Sequence, residues 1–288
     1  MSQLVSIPPA THVGTVSLTV ADMARSLRFY ADVLGLHQVA GGDGRVQVGG
    51  ADGAPLLELV EVRGAPPKPQ HATGLYHFAV LVPDRVELAR WLRHVVESRG
   101  SLQGWADHGV SEAIYLGDPD GNGIEVYRDR PRAEWPVRNG QLQMVADPLD
   151  AHGLLALVDG DASPWLAMPA GTTMGHIHLH VADIAAAQVF YCDVLGFDLV
   201  QRYGPSALFV SAGGYHHHIG LNTWAGVGAP PAPPGSAGLR DYEIRLPTGD
   251  ALEAVARRLE GAGIAFERSV GGLAVSDPAS NRIVLVVA

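Results

Sequence analysis

The stretch GTVSLTVADMARSLRFYADVLGL, residues 14–36, decides the fold because it returns as GHIHLHVADIAAAQVFYCDVLGF at residues 175–197. The copies align without a gap and share Val-Ala-Asp, Phe-Tyr and Asp-Val-Leu-Gly. Each begins with the alternating pattern of a strand, places Asp22 or Asp183 at a helix N-cap position, and continues as a helix that ends at a glycine. The repeat predicts a fold built by duplicating one strand–helix unit.

Short strands are predicted after each of these helices, at 45–48, 56–60, 207–211 and 216–222. Two weaker copies have the same order, with strands at 74–82 and 238–246 and helices at 85–98 and 250–261. Both close with a hairpin around an Asp-Pro turn. The chain is therefore predicted to be α+β, with four βαβββ modules at 12–62, 74–128, 174–222 and 238–288.

Linkers agree with this division. GAPPKP at 64–69 and GAPPAPPG at 228–235 are proline-rich and stiff, and each separates two modules. A longer segment, 129–173, has one short helical candidate at 150–158 and joins the sequence halves 1–130 and 174–288. A link of that length places little constraint on how the middle modules sit.

Composition bounds the class of protein. At 288 residues the chain can hold two domains with their own cores, and a net charge of −10 argues against a nucleic-acid partner. No apolar run approaches the roughly 20 residues of a membrane span, and residues 1–9 lack the basic start and apolar core of a signal peptide. The single cysteine, Cys192, fits a reducing compartment. We expect a cytoplasmic globular protein with no membrane partner.

One hairpin carries a carboxylate that needs an explanation. The sequence HGVSEAIYLGDPDGNGIE, residues 108–125, predicts a strand ending near Tyr115, a tight turn and a second strand over 123–127. Glu125 lies between apolar neighbours and faces away from them, because side chains alternate along a strand. If that face is buried, the charge needs a partner such as a metal ion. The alternative is an ordinary hairpin whose Glu125 faces water.

Histidines are the compositional oddity, with thirteen in the chain. His176, His178 and His180 alternate with apolar residues and so share one strand face, which packing alone explains poorly. The run at 216–218 is predicted to begin a strand that continues through Ile219; a solvated loop is the alternative. Taken singly, His77 fits a core histidine, so only the set of histidines together favours a metal site.

The four modules, the Phe-Tyr…Leu-Gly helices and the Asp-Pro-Asp-Gly…Glu hairpin together resemble the vicinal oxygen chelate superfamily. That superfamily includes glyoxalase I, bleomycin-resistance proteins and extradiol ring-cleaving dioxygenases. GLYHFA at 74–79 and GGYHHHIGLNTW at 213–224 are similar to Bacillus-type catechol 2,3-dioxygenases. Ala106 departs from the extradiol signature, whose other positions are matched by His108, Ile114-Tyr115, Asp118-Pro119, Gly121 and Glu125.

The resemblance implies two half-open barrels, each made of two paired modules that offer metal-ligand positions on their first and last strands. Alignment gives as first-strand positions Thr15, His77, His176 and Asp241. It gives as last-strand positions Glu58, Glu125, His217 and Val284. A ring-cleaving iron enzyme needs two histidines and one carboxylate, with the opposite side open. Only pairing modules 2 and 3 supplies that set, His77, Glu125 and His176, which leaves modules 1 and 4 as an inactive companion; the 1–2 and 3–4 arrangement is the alternative.

The resemblance also implies an activity. We expect an extradiol dioxygenase of aromatic hydrocarbon catabolism that opens catechol or a substituted catechol with O₂, giving a 2-hydroxymuconic semialdehyde-type product. Fe(II) is the expected metal and Mn(II) the alternative, because the triad binds either. His217 is expected to be the acid–base group, and His108 and Tyr115 to orient the substrate or bound oxygen. His216, His218 and His178 are further candidates for the metal site, and a homo-oligomer is expected from the general tendency of such proteins.

Two rival functions stay open at this point. A metal-dependent glyoxalase-like lyase or isomerase would use His217 as a fourth ligand to Zn²⁺ or Ni²⁺ and would consume no O₂. A non-enzymatic small-molecule-binding protein of the resistance type would need no metal triad. Metal analysis and O₂ uptake on catechol separate the three functions.

Overall fold

The computed structural model describes residues 6–288 and arranges them as an α+β protein with two eight-stranded sheets. The predicted fold class is thereby confirmed. The N-terminal stretch discussed above, residues 1–9, lies in part outside the described residues. Within residues 6–288 no helix has both the length and the apolar character needed to span a membrane.

Strands from the first and last quarters of the chain form sheet A. They are β1 (His12–Val20), β2 (His37–Gly42), β3 (Arg45–Gly49), β4 (Pro55–Glu61), β15 (Gly238–Leu246), β16 (Glu267–Ser269), β17 (Gly272–Ser276) and β18 (Arg282–Val287). Their order is β16-β17-β18-β15-β1-β4-β3-β2. The antiparallel pair β1/β15 joins the two halves, and within each half the first and last strands run parallel.

Sheet B takes its strands from the middle of the chain and has the same plan. They are β5 (Gly74–Leu81), β6 (Gly104–Asp107), β7 (Ser111–Gly117), β8 (Gly123–Asp129), β11 (Thr173–His180), β12 (Asp198–Tyr203), β13 (Ala207–Ser211) and β14 (Ile219–Asn222). The order is β12-β13-β14-β11-β5-β8-β7-β6, with β5 and β11 antiparallel at the centre. The module boundaries stay a prediction, and this strand order is the observation that bears on their pairing. A separate small hairpin comprises β9 (Val137–Arg138) and β10 (Gln141–Leu142).

Helices follow the first strand of each unit. They are α1 (Met23–Asp32), α2 (Arg85–Glu97), α4 (Ile184–Gln188) and α5 (Gly249–Gly261), with α3 (Ala151–Ala156) in the long link. The predicted caps are present, because Asp22 accepts from the Arg25 amide and Asp183 from the Ala186 amide. The two repeat copies differ after that point, since α4 passes into a π-helical turn over Val189–Val194.

The repeated Phe-Tyr and Asp-Pro motifs are connected in space. The buried hydroxyl of Tyr30 in α1 donates to Asp118 Oδ2 at 2.8 Å, and Tyr191 donates to Asp277 Oδ2 at 3.0 Å. Each tyrosine therefore ties a helix of one unit to the Asp-Pro turn of another. In sheet B that turn leads directly into β8, the strand that carries Glu125.

Two details of the third unit were predicted wrongly. The run 216–218 lies in the loop before β14 rather than on a strand, because the strand begins at Ile219. Strand register also corrects the last-strand position predicted for the third unit. In the second and first units, the last-strand residues Glu125 and Glu58 lie opposite Ala79 and Ser17. The residue of the third unit that corresponds to Ala79 and Ser17 is His178, and it lies opposite Gly220 rather than His217. A Cβ at Gly220 would lie 2.8 Å from the His178 ring, so that ring occupies the space of a side chain there.

Candidate metal centre and cavity

Three predicted ligands meet at the centre of sheet B. Glu125 Oε2 lies 3.2 Å from His77 Nε2 and 3.3 Å from His176 Nε2, and all three side chains are buried. Among residues 6–288 this is the one group of three such side chains whose ligand atoms lie within 4.8 Å of one another. The two imidazoles and the carboxylate are therefore close enough to share one ion.

Strand register explains the meeting. His176 lies opposite Ala79, Ala79 opposite Glu125, and Glu125 opposite Tyr115, so one row crosses β11, β5, β8 and β7. Paired residues project from the same face of a sheet. The methyl group of Ala79 leaves room for His176 and Glu125 to approach each other across β5. His77, two residues before Ala79, projects from that same face.

A bulge in β11 aims His176. Register shifts between Met174 and His176, so Gly175 has no partner across the strand pair. A Cβ on Gly175 would lie 1.9 Å from the Tyr127 hydroxyl, and only glycine fits there without rearrangement. This glycine thus permits both the bulge and the close packing of Tyr127 beside His176, with their ring centroids 4.8 Å apart.

The donor set fits a divalent metal ion of the Fe(II) type. Two histidines and one carboxylate are a recurrent non-haem iron set. His77 Nε2 is buried with no hydrogen-bond partner among the described residues, although the Glu125 carboxylate is nearby. A buried polar atom left unpaired costs about 1–3 kcal/mol, which coordination would offset. This nitrogen is thus free to bind an ion, although the Glu125 oxygen lies 3.2 Å away.

Protonation states also suit metal binding. Burial alone would raise the pKa of Glu125, but His176 and His77 beside it hold that pKa well below its usual range. Burial lowers the pKa of His176 to about 4. At neutral pH His176 is therefore neutral and Glu125 ionised, the forms in which these two side chains coordinate metals.

A cavity of about 280 Å³ opens above the triad. His77 and Glu125 lie at its floor, and its polar wall is formed by His108, Tyr115, His178 and His217. Most of the remaining wall is apolar or aromatic, and includes Val110, Met144, Val145, Phe209, Tyr203 and Trp224. A small flat molecule could enter with one polar edge at the triad.

His108 and Tyr115 form a pair on the cavity wall. The Val145 carbonyl accepts from His108 Nδ1 at 2.7 Å, so Nε2 is the acceptor for the Tyr115 hydroxyl, also at 2.7 Å. Burial, with Glu125 as the next cause, raises the pKa of Tyr115 well above its usual range. Tyr115 therefore keeps its proton and stands next to Glu125 in the row.

The histidine run separates into three environments. His217 lines the cavity with its ring centroid 4.1 Å from that of His176, and burial lowers the pKa of His217 well below its usual range. His216 is fully buried and bonds to Asp129 and His217. His218 accepts from the Ala212 amide through Nδ1 at 3.1 Å. Of these three residues only His217 reaches the cavity.

Sequence reasoning missed part of the cavity wall. Met144 and Val145 come from the long link, which the sequence left unconstrained. Gln201 of β12 holds that link, because its side chain accepts from the Met144 amide at 2.6 Å and donates to the Met144 carbonyl at 3.2 Å. No periodic pattern marks these residues, and only the tertiary contact identifies them.

The corresponding row of sheet A contains a carboxylate in an ion pair. Asp241, Ser17 and Glu58 occupy the register positions of His176, Ala79 and Glu125. Glu58 Oε2 accepts from Ser17 Oγ and from Arg45 Nη1, each at 3.0 Å. A carboxylate already paired with arginine is a poor metal ligand.

Comparisons with known proteins relate this chain to one superfamily. The model described as Glyoxalase/Bleomycin resistance protein/Dioxygenase superfamily matches residues 12–126 and 173–285. A Bacillus subtilis (strain 168) protein named Catechol-2,3-dioxygenase is 45% identical over 287 residues, which cover 99% of this chain and 100% of that protein. This relation confirms the expectation of an oxidoreductase that resembles catechol 2,3-dioxygenases.

Solved structures support the fold. Glyoxalase I from Zea mays has a TM-score of 0.56 at 16% identity and covers 96% of this chain and 92% of its own. The cppA protein of Streptococcus pneumoniae TIGR4 has a TM-score of 0.58 at 12% identity, covering 97% and 99%. The family model, the relative and the shared fold agree: the chain belongs to the Glyoxalase/Bleomycin resistance protein/Dioxygenase superfamily.

Proposed function

We propose that the protein is an extradiol dioxygenase that opens the ring of catechol or a substituted catechol with O₂ to a 2-hydroxymuconic semialdehyde-type product. The observation that carries the proposal is the convergence of His77, Glu125 and His176, of which His77 and Glu125 line the cavity. The relative named Catechol-2,3-dioxygenase supports the same activity. In this proposal modules 2 and 3 form the active barrel and modules 1 and 4 its companion.

The triad would hold Fe(II), with Mn(II) as the alternative, and the ion would supply a site where the diol oxygens and O₂ meet. His217 takes a proton from a catechol hydroxyl and returns it to a product oxygen, since its ring is neutral and lines the cavity. Tyr115, held by His108, orients the diol edge beside Glu125. The apolar wall excludes water and accepts the flat ring.

One observation disfavours the glyoxalase alternative, in which His217 is a fourth ligand. The side chains whose ligand atoms converge are His77, Glu125 and His176, and His217 is not among them. Three protein ligands leave more open positions than four, as substrate and O₂ require.

O₂ uptake tests the proposal. The metal-free protein is loaded anaerobically with Fe(II), or in parallel with Mn(II) or Zn²⁺, and mixed with catechol in aerated buffer. We expect O₂ consumption equal to the catechol consumed and a yellow ring-opened product with iron or manganese, and neither with zinc. Absence of uptake with all three metals, although the metal is bound, would reject the dioxygenase. Isomerisation of a hemithioacetal by the zinc or nickel form would favour the glyoxalase instead.

A further inference from the structure

A line of hydrogen bonds runs from the cavity to the end of strand β8. His217 Nδ1 lies 2.8 Å from His216 Nδ1, and His216 Nε2 lies 2.9 Å from Asp129 Oδ1. The Tyr215 hydroxyl bonds to the same carboxylate oxygen at 3.1 Å. Asp129 is the last residue of β8, the strand that carries Glu125. The group therefore connects a cavity residue to the strand of a triad residue.

The direction of each hydrogen bond follows from what each atom can do. A carboxylate oxygen only accepts, so His216 Nε2 and the Tyr215 hydroxyl must both donate to Asp129. A neutral imidazole with a proton on Nε2 has a lone pair on Nδ1. For a neutral His216, Nδ1 therefore accepts from His217 Nδ1, which gives His217 a proton on Nδ1 and a lone pair on Nε2.

The same bonds exclude His216 from metal binding. Both of its ring nitrogens are engaged, and its side chain is fully buried behind His217. His217 Nε2, in contrast, has no hydrogen-bond partner within residues 6–288, and the His217 ring lines the cavity. The free nitrogen of the line is thus the one available to a molecule in the cavity.

We infer that Asp129 and His216 are positioning residues that hold His217 in its Nδ1–H tautomer, so that the Nε2 lone pair is available to the diol. The inference rests on the proposed function for the substrate, whereas the tautomer is a property of the chain alone. A histidine in the opposite tautomer would present an N–H to the diol and could not take its proton. In serine hydrolases, removing the carboxylate that orders the catalytic imidazole lowers kcat by about 10⁴-fold.

Nitrogen NMR of the metal-free, full-length protein tests the tautomer directly. Long-range proton–nitrogen spectra of histidine-labelled protein, with the His217 signals assigned through His217→Asn, should show a protonated Nδ1 and an unprotonated Nε2. Asp129→Leu should move His217 toward the Nε2–H tautomer, whereas Tyr215→Phe should leave it unchanged. An Nε2–H tautomer in the wild type, or an Asp129→Leu spectrum identical to wild type, would overturn the inference.

Kinetics of the iron-loaded enzyme separate positioning from structural support. Asp129→Leu should lower kcat on catechol by about 10–100-fold, the usual effect of losing an outer hydrogen-bond partner, with unchanged iron content. The KM for catechol should change by less than about threefold, because substrate binding is not affected. Tyr215→Phe, which removes the other bond to the same oxygen, should keep kcat within about twofold. Equal losses in the two variants, or a loss explained by missing iron, would contradict the inference.

A second variant guards against misfolding. Asp129→Asn keeps an acceptor oxygen for His216, so the Nδ1–H tautomer should persist with most of the activity. Loss of that tautomer in Asp129→Asn would contradict the inference, because an acceptor oxygen at position 129 would then not be enough to hold it. If wild-type protein consumes no O₂ with catechol, the proposed function fails, but the NMR spectra still decide the tautomer.

Discussion

Replacing Glu125 with glutamine is expected to destabilise the metal-free protein and to destabilise the iron-loaded protein further. The Glu125 side chain is 3% exposed, and its carboxylate accepts one hydrogen bond, from His176 at 3.3 Å. Burial alone would raise the pKa of Glu125, but His176 and His77 hold it well below its usual range, so the folded chain favours the ionised carboxylate over a neutral group. A hydrogen bond to a charged group contributes about 1.5–3 kcal/mol, and we expect metal-free Glu125→Gln to lose roughly that much free energy of unfolding.

Iron should widen that difference. At a free Fe(II) concentration 100 times its dissociation constant, binding adds about 2.7 kcal/mol to the free energy of unfolding of the wild type. Glu125→Gln lacks the one anionic ligand and should gain almost nothing. The assay is anaerobic guanidinium unfolding with and without Fe(II), together with iron content per chain.

The matched control is Glu58→Gln, because Glu58 holds the same register position in sheet A but is paired with Arg45. This variant should keep the full iron-dependent gain. The reasoning is refuted if Glu125→Gln gains as much stability from iron as the wild type, or if Glu58→Gln loses its gain.

Three further predictions concern pH, substrate and the cavity wall. Burial lowers the pKa of His218 to about 3, below its value in the unfolded chain. The unfolded chain therefore binds this proton more tightly, and the free energy of unfolding falls as the pH falls from about 6.5 toward 3. His218→Asn keeps an acceptor but does not titrate. Between pH 6.5 and 4.5 its free energy of unfolding, measured with urea, should therefore fall by about 2 kcal/mol less than that of the wild type, and equal losses would contradict this. No lysine or arginine of residues 6–288 lines the cavity, so a carboxylate on the substrate would have no cation to pair with. A carboxylated catechol such as 3,4-dihydroxybenzoate should therefore have a kcat/KM at least about tenfold below that of 4-methylcatechol. Comparable values would show that a cation reaches the substrate. Gln201→Ala removes both side-chain hydrogen bonds to Met144 and should raise KM for catechol by roughly fivefold. The control is Arg202→Ala, because the Arg202 side chain bonds to Gln188 on the exposed surface, and this variant should leave KM unchanged. Equal KM values in the two variants would contradict a role for the link.

The residues of the triad could be named from sequence because they lie on strands. Alternation places His176 on one face of its strand, the hairpin turn sets the register of Glu125, and the family pattern adds His77. Strand geometry is local, so a pattern of two residues is enough to predict which side chains share a face.

The cavity wall could not be predicted in the same way. Met144 reaches the site from a link without periodicity, and it is held there by Gln201, 57 residues away in sequence. The placement of His217 failed for a related reason. A run of three histidines gives no alternation, so the start of β14 at Ile219 could not be read from it. Contacts between distant segments, rather than local preference, decide these positions.

Anomalous diffraction at the iron edge, from crystals loaded anaerobically with Fe(II) and catechol, tests the central claim most directly. We expect one iron peak per chain, within coordination distance of His77 Nε2, His176 Nε2 and the Glu125 carboxylate, with both diol oxygens on the cavity side. A peak at residues 216–218 or in the Glu58 row, or catechol bound away from the iron, would contradict the account.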